Sequence, residues 1–144
     1  MAAAGGVTLS HISRASSDIH RLANFYREIL GFEQIESPDL EFNIIWLSLP
    51  PDHAVQIHLI ERDPKVSLPE ETSLSGLSQD PRFLRRGHHV CFSVSNFESF
   101  VQTLKDRGIK THESSQPGSK VKQIFFFDPD GNGLEVASRP SPPS

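Results

Sequence analysis

Four residues of the types that bind divalent transition metals recur at a regular spacing in the sequence: His11, His58, His89 and Glu135. Imidazole and carboxylate together suit Zn²⁺, Ni²⁺, Co²⁺, Fe²⁺ or Mn²⁺, and a carboxylate can also move a proton. The spacing from His11 to His58 is almost the same as that from His89 to Glu135. We therefore expect two similar halves of the chain, each of which supplies two of these residues.

The two halves can be aligned by placing His11 on His89. The alignment pairs HISRASSDIHRLANFYREILG with HVCFSVSNFESFVQTLKDRG, and both stretches predict a strand, a helix cap, an amphipathic helix and a glycine stop. Asp18 and Asn96 match, and each can accept hydrogen bonds from the first free amides of a helix. Further strands are predicted at Phe32–Ser37, Phe42–Leu49 and Val55–Glu61, and at Ile109–Glu113, Lys122–Phe127 and Gly133–Ala137. The predicted order is β-α-β-β-β, twice.

Strand alternation predicts which side chains share a face of each sheet. Around His58 the apolar neighbours Ile57 and Leu59 face the helix, so His58 points away from it. The same alternation turns Glu135 and the two strand-opening histidines away from the helices. Burial of this polar cluster would be costly without a metal ion or a dense hydrogen-bond network. The sequence therefore predicts one metal site formed by all four residues.

The composition is that of one ordinary globular domain. The chain has 144 residues, 36% hydrophobic and 22% charged, and its net charge of -4 with no basic run argues against nucleic-acid binding. The single cysteine excludes an internal disulfide, and no segment predicts a membrane helix or a signal peptide, so we expect a cytoplasmic protein with no membrane partner. The predicted domain covers 7–137, with module one at about 7–62, a linker at 63–86, module two at 87–137, and flexible tails at 1–6 and 138–144.

Three stretches carry a family resemblance: LSHISRASSDIHRLANFYREILGFE, GHHVCFSV and FFFDPDGNGLEVA. They resemble the vicinal oxygen chelate superfamily and, within it, the glyoxalase I-like (lactoylglutathione lyase-like) proteins. The resemblance covers about 7–137 and implies an α+β fold of two tandem β-α-β-β-β modules that form a barrel-like cup, often at a homodimer interface. It also implies one divalent metal ion held by His11, His58, His89 and Glu135.

The resemblance to glyoxalase I is incomplete at two positions. Its members usually have a carboxylate where His58 stands, so we expect Glu135 to be both a metal ligand and the general base. An arginine that binds glutathione in the family is replaced by Ala15, whereas Arg85 matches a second such arginine. We therefore expect weak or absent glutathione-dependent activity.

Three residues are candidate substrate contacts. Arg85 is one by its family match, and Trp46 is an aromatic strand residue that could line an apolar pocket or belong to the core. Cys91 lies two residues beyond His89 on the same strand face, although a lone cysteine is often only a small hydrophobic residue.

The leading hypothesis is a metal-dependent isomerase or lyase in which the metal chelates two oxygens of a small carbonyl metabolite while Glu135 moves a proton. An Fe²⁺ extradiol-type dioxygenase is an alternative, since His11, His89 and Glu135 would make a two-His-one-carboxylate triad. A thiol transferase and a metal-free small-molecule-binding dimer remain open. We expect a homodimer, because the modules have open sheet edges.

Overall fold

The computed structural model describes residues 5–68, 79–115 and 117–139. The chain divides into two compact units, Met1–Ser67 and Leu68–Ser144. Within the described residues, each unit contains one four-stranded sheet and one α-helix.

The first unit has the strand order β1-β4-β3-β2. Strand β1 pairs in parallel with β4, and the other two pairings are antiparallel. Its elements are β1 (Ile12–Ser16), α1 (Ile19–Leu30), β2 (Glu33–Ile35), β3 (Ile44–Ser48) and β4 (Gln56–Glu61).

The second unit repeats this arrangement with the order β5-β8-β7-β6 and a parallel pairing of β5 with β8. Its elements are β5 (Val90–Val94), α2 (Phe97–Asp106), β6 (Thr111–Ser115), β7 (Lys122–Phe127) and β8 (Gly133–Ser138), preceded by a 3₁₀ helix (Pro81–Arg86). The predicted fold of two tandem β-α-β-β-β modules is therefore confirmed.

Both helices begin at the predicted caps. Asp18 Oδ1 accepts a hydrogen bond from the backbone N of Arg21 at 3.0 Å, and Asn96 Oδ1 accepts one from Ser99 N at 3.1 Å. Gly31 ends α1 with a φ of 80°, a left-handed conformation that glycine adopts without a steric penalty.

The helix-facing side of each sheet carries the apolar core. Ile57 and Leu59 on β4, and Leu134 and Val136 on β8, are all buried, as strand alternation predicts. The residues between them, His58 and Glu135, are therefore turned to the opposite face of their sheets.

The turn between β7 and β8 is organised by the buried Asp128. Its Oδ1 accepts hydrogen bonds from the backbone N atoms of Asp130 and Asn132, both at 2.9 Å, and its Oδ2 accepts one from Asn132 Nδ2 at 2.8 Å. This turn sets the register in which Phe125 lies opposite Glu135.

The segment predicted as a linker, 63–86, contains more structure than its composition indicates. Its last six residues form the 3₁₀ helix, in which Pro81 and Leu84 are buried. A Cβ atom built on Gly133 would lie 2.5 Å from Leu84 Cδ2 and 2.6 Å from the backbone O of His88. Glycine is therefore required where the 3₁₀ helix and the approach to β5 meet the start of β8. Residues 69–78 lie outside the described residues.

Several element limits differ slightly from the sequence prediction. Strand β2 is shorter than Phe32–Ser37, and β8 continues to Ser138, into the predicted tail. His11 and His89 precede β1 and β5 rather than lying within them. The ends of the two predicted tails, 1–4 and 140–144, lie outside the described residues. Neither described α-helix is long and apolar enough to span a bilayer.

Candidate metal centre

The four predicted metal ligands lie as two pairs, one in each unit. His11 is close to His58 in the first unit, and His89 is close to Glu135 in the second. Among the described residues, no group of three or more His, Cys, Asp or Glu side chains is arranged to hold a metal ion. The convergence of both pairs on one ion therefore stays a prediction.

In the first unit, three aromatic rings stack in a row. The ring centroids of His11 and His58 are 3.9 Å apart with 13° between the ring planes, and those of His58 and Trp46 are 3.8 Å apart with 5° between the planes. The sheet builds this stack because Trp46 on β3 is the register partner of His58 on β4. The His58 ring is thereby held between two flat neighbours.

His58 is 7% exposed, and its burial, followed by the nearby His11, lowers its pKa. The neutral imidazole, which is the form that binds metal ions, is favoured as a result. His58 Nε2 donates a hydrogen bond to Gln56 Oε1 at 3.0 Å, which leaves Nδ1 as the ring nitrogen with a lone pair.

In the second unit, His89 Nε2 lies 3.0 Å from Glu135 Oε1. The other ring nitrogen of His89, Nδ1, donates a hydrogen bond to the backbone O of Gly87 at 2.9 Å. In a neutral imidazole only one nitrogen carries a proton, so Nε2 would then present a lone pair to the carboxylate. Two acceptors in this arrangement require a proton or a cation between them.

Glu135 is 7% exposed, and one of its two oxygens accepts a hydrogen bond. Gln123 Nε2 donates a hydrogen bond to Glu135 Oε2 at 3.0 Å. Cys91 on β5 is the register partner of Glu135, and desolvation together with the Glu135 carboxylate raises the pKa of its thiol to about 11. The thiol is therefore protonated at neutral pH, and the hydrogen bond from Gln123 orients the one carboxylate among the four predicted ligands.

The three predicted substrate contacts lie in different places. Trp46 is half-buried and covers the His58 ring. Cys91 is an exposed free cysteine beside Glu135. Arg85 is exposed in the last turn of the 3₁₀ helix. Two of the three candidates thus lie beside a predicted metal ligand.

Ala15, at the position where the family has a glutathione-binding arginine, lies on β1 opposite Ile60. By strand alternation it shares the face of Ser13, the register partner of His58, whereas Arg14 points to the other face. No cationic side chain replaces the missing arginine from the neighbouring position.

Sequence reasoning left two polar residues out of the candidate site, and both lie on the Glu135 face of the second sheet. Gln123 lies on β7 two residues before Phe125, which is opposite Glu135, and His112 on β6 is the register partner of Phe125. Strand alternation along β7 could have placed Gln123 on this face. It puts Gln123 and Phe125 on one side of the strand and the buried Phe126 on the other.

The donor set fits a divalent transition-metal ion. An ion with bonds of ~2.1 Å to two ligands at right angles separates those ligands by ~3.0 Å, which matches the distance from His89 Nε2 to Glu135 Oε1. The Gly87 carbonyl fixes the tautomer of His89, as acceptors next to metal-binding histidines commonly do. The neutral form favoured at His58 is also the ligating form.

Several curated proteins are similar to the chain in sequence. The chain is 28% identical over 139 residues to "Glyoxylase I 4" of Arabidopsis thaliana, covering 94% of this chain and 73% of that protein. It is 25% identical over 130 residues to the mitochondrial methylmalonyl-CoA epimerase of Homo sapiens, covering 87% and 68%. It is 26% identical over 143 residues to the lactoylglutathione lyase of Schizosaccharomyces pombe, covering 91% of this chain and 47% of that protein.

Solved structures show the same fold at lower identity. A putative glyoxalase family protein from Bacillus anthracis superposes with a TM-score of 0.64 at 20% identity, covering 93% of this chain and 96% of that one. A variant of the fosfomycin resistance protein FosX from Listeria monocytogenes, solved with Mn(II) and 1S,2S-dihydroxypropylphosphonic acid, gives 0.67 at 16% identity, covering 92% of each chain.

A family model settles the relationship that the resemblance indicates. The model of the Glyoxalase/Bleomycin resistance protein/Dioxygenase superfamily matches residues 8–136, which include all four predicted ligands and every strand and α-helix of both modules except the last two residues of β8. The chain therefore belongs to this superfamily, the vicinal oxygen chelate proteins.

Proposed function

We propose that the protein is a divalent-metal-dependent enzyme that moves a proton on a carbon next to a carbonyl group of a small oxygenated metabolite. The observation that carries this proposal is the His89–Glu135 pair, in which a ring nitrogen and a carboxylate oxygen, both atoms of metal-binding type, lie 3.0 Å apart at the sheet position that His11 and His58 occupy in the other unit. The reaction class is that of an isomerase or lyase, and glutathione is not required.

The proposed metal ligands are His11, His58, His89 and Glu135, with the two pairs meeting at one ion. A divalent ion bound by them would polarise the carbonyl oxygen of the substrate and so acidify the neighbouring C–H bond. Borderline ions suit this set of three imidazoles and one carboxylate.

Glu135 is the proposed general base. One carboxylate oxygen faces His89, and the other is held by Gln123, so the carboxylate presents a fixed lone pair to the substrate. The carboxylate takes the proton from carbon, the C–H electron pair moves towards the carbonyl group, and the proton returns to the same or the neighbouring carbon. Return to the other face of the same carbon is an epimerisation. Return to the neighbouring, former carbonyl carbon is an isomerisation, and it requires a hydroxyl group on the first carbon, whose proton moves to the carbonyl oxygen while a new C=O bond forms on the first carbon.

The names of two relatives support this reaction class, because one is a lactoylglutathione lyase and another is a methylmalonyl-CoA epimerase. We propose a small carbonyl compound, rather than a glutathione adduct, as the substrate. The reason is that Ala15 stands where the family has an arginine that binds glutathione. Arg85, Trp46 and Cys91 are the proposed substrate contacts.

The first test is metal content. Protein purified without chelator is expected to contain about one divalent ion per chain. The double variant His89→Ala with Glu135→Ala is expected to lose it, because it removes both donors of one pair. A matched control is His20→Ala with Glu33→Ala, which changes two exposed residues of the same types in the first unit. Unchanged metal content in the His89/Glu135 variant would refute the assignment, and a metal-free wild type would favour a binding protein.

The second test is proton exchange with solvent. The wild type is expected to incorporate deuterium from D₂O into a substrate found in a panel of α-hydroxy and vicinal-oxygen carbonyl compounds. Glu135→Gln retains an oxygen ligand but lacks the base, so deuterium incorporation should fall at least 100-fold. Incorporation at the wild-type rate by a metal-loaded Glu135→Gln variant would show that another group is the base.

A further inference from the structure

Gln123 contacts the proposed base without belonging to the proposed ligand set. Its Nε2 donates to Glu135 Oε2 at 3.0 Å, across the pairing of β7 with β8. The orientation of the amide follows from charge: a carboxylate accepts hydrogen bonds, so the NH₂ group of Gln123 must face it and the carbonyl must point elsewhere.

The other end of the same amide is buried and has no partner. Gln123 Oε1 is one of the few buried side-chain oxygens that lack a hydrogen bond among the described residues. Buried polar atoms in folded proteins are usually paired, and an unpaired one calls for a specific explanation. Because Gln123 shares its sheet face with Glu135, a ligand reacting at Glu135 would come within reach of this oxygen.

We propose that Gln123 is a positioning residue for Glu135 and that its buried amide oxygen accepts a hydrogen bond from a hydroxyl group of the substrate. One end of the amide stops the carboxylate from rotating away from His89. The other end selects ligands that carry a hydroxyl beside the reacting carbon, because only a donor satisfies the unpaired oxygen. This inference rests on the proposed function, since it concerns the same carboxylate.

The second unit offers a matched control for the amide. Gln102 on α2 donates from Nε2 to Asp106 Oδ1 at 2.8 Å, which is the same amide-to-carboxylate contact on an exposed helix surface. The test therefore compares Gln123→Leu with Gln102→Leu. Both changes keep the approximate side-chain size and remove the donor and acceptor, but only one of them acts near Glu135.

The contact with Glu135 can be read without metal or activity. In chelator-treated protein, the side-chain NH₂ signals of Gln123 are identified by nuclear magnetic resonance as those missing in Gln123→Leu. They are expected to shift in Glu135→Ala, whereas the Gln102 signals stay in place. If the Gln123 signals do not shift, the positioning role is wrong.

Metal and ligand binding test the two ends of the amide separately. Gln123→Leu is expected to weaken Mn²⁺ or Zn²⁺ binding by roughly 10- to 100-fold, as measured by equilibrium dialysis, while Gln102→Leu binds like the wild type.

Metal-loaded wild type is expected to prefer glycolate over methoxyacetate by roughly 3- to 10-fold, and Gln123→Leu should lose this preference. Wild-type metal affinity, or a retained hydroxyl preference, in Gln123→Leu would overturn the proposal. If the wild type binds no metal, the proposed function fails, and the amide signals still decide the contact.

Discussion

His58 and Glu135 occupy equivalent positions in the two sheets but are held by different interactions. His58 is held by flat rings on both sides, whereas the corresponding Glu135 accepts a hydrogen bond from Gln123 on one oxygen and faces His89 with the other. Ring stacking suits a neutral ligand, and directed hydrogen bonds suit a charged one. Among the four proposed ligands, the group able to take a proton from carbon therefore lies in the second unit.

Glutathione is expected to bind weakly because Ala15 offers no charge to its carboxylates. A charge-assisted hydrogen bond contributes about 1.5–3 kcal/mol, so its loss costs roughly 10- to 100-fold in affinity. Ala15→Arg should recover part of that factor in calorimetric titration with glutathione. Arg14→Ala is the control, since Arg14 lies on the other face of β1. Efficient turnover of the methylglyoxal–glutathione adduct by the wild type would contradict this expectation.

At the residue scale, strand alternation was enough to put His58 and Glu135 on the sheet faces away from the helices. It did not lead to Gln123, because the contact with Glu135 depends on the register between β7 and β8 and on the rotation of two side chains. The hydrogen bond from His89 Nδ1 to the Gly87 carbonyl could not be predicted either, because it depends on the conformation of the backbone before β5.

Secondary-structure elements were predictable wherever local signals agreed. Helix α1 has its cap at Asp18, its stop at Gly31 and an apolar stripe between them, and all three are visible in the sequence. The 3₁₀ helix was not predicted, because it has only two buried residues, Pro81 and Leu84, and its burial depends on the sheet that it meets. Whether such a short segment becomes helical depends on its tertiary contacts rather than on its own sequence.

Gly133→Ala is expected to destabilise the second unit. Its Cβ would lie 2.5 Å from Leu84 Cδ2 and 2.6 Å from the His88 backbone O, so the 3₁₀ helix or the start of β5 must shift. Overpacking of this kind costs about 1–3 kcal/mol in the free energy of unfolding, measurable by chemical denaturation. Gly87→Ala is the matched control, because its Cβ would meet only the backbone O of Phe83, at 4.0 Å. Equal stability of the two variants would contradict the expected crowding.

At the scale of the whole molecule, the internal repeat was the feature that identified the fold. Two copies of a strand, a capped helix and three strands predict a pair of similar sheets, and both sheets have the same order of strands. Element limits could not be predicted as well, because the last paired residue of a strand depends on its neighbours. Strand β2 shows this, with three paired residues in place of a longer predicted run.

A homodimer is expected from the family resemblance and from the open strand at the edge of each sheet. Sedimentation equilibrium at micromolar concentration should give twice the chain mass of 16.1 kDa. Runs with added Zn²⁺ and with chelator would show whether the metal contributes to assembly. A single species of 16.1 kDa under both conditions would rule the dimer out.

The order of strands also gives the two members of each pair unequal freedom. His58 and Glu135 lie on β4 and β8, which have a hydrogen-bonded neighbour on both sides, whereas His11 and His89 stand just before β1 and β5 at the edges of their sheets. Strands paired on both sides open less readily than chain at a sheet edge. Each pair thus joins an anchored donor to an adjustable one. A metal site formed by these residues would follow differences in ionic radius with small movements of two loops, without distortion of either sheet.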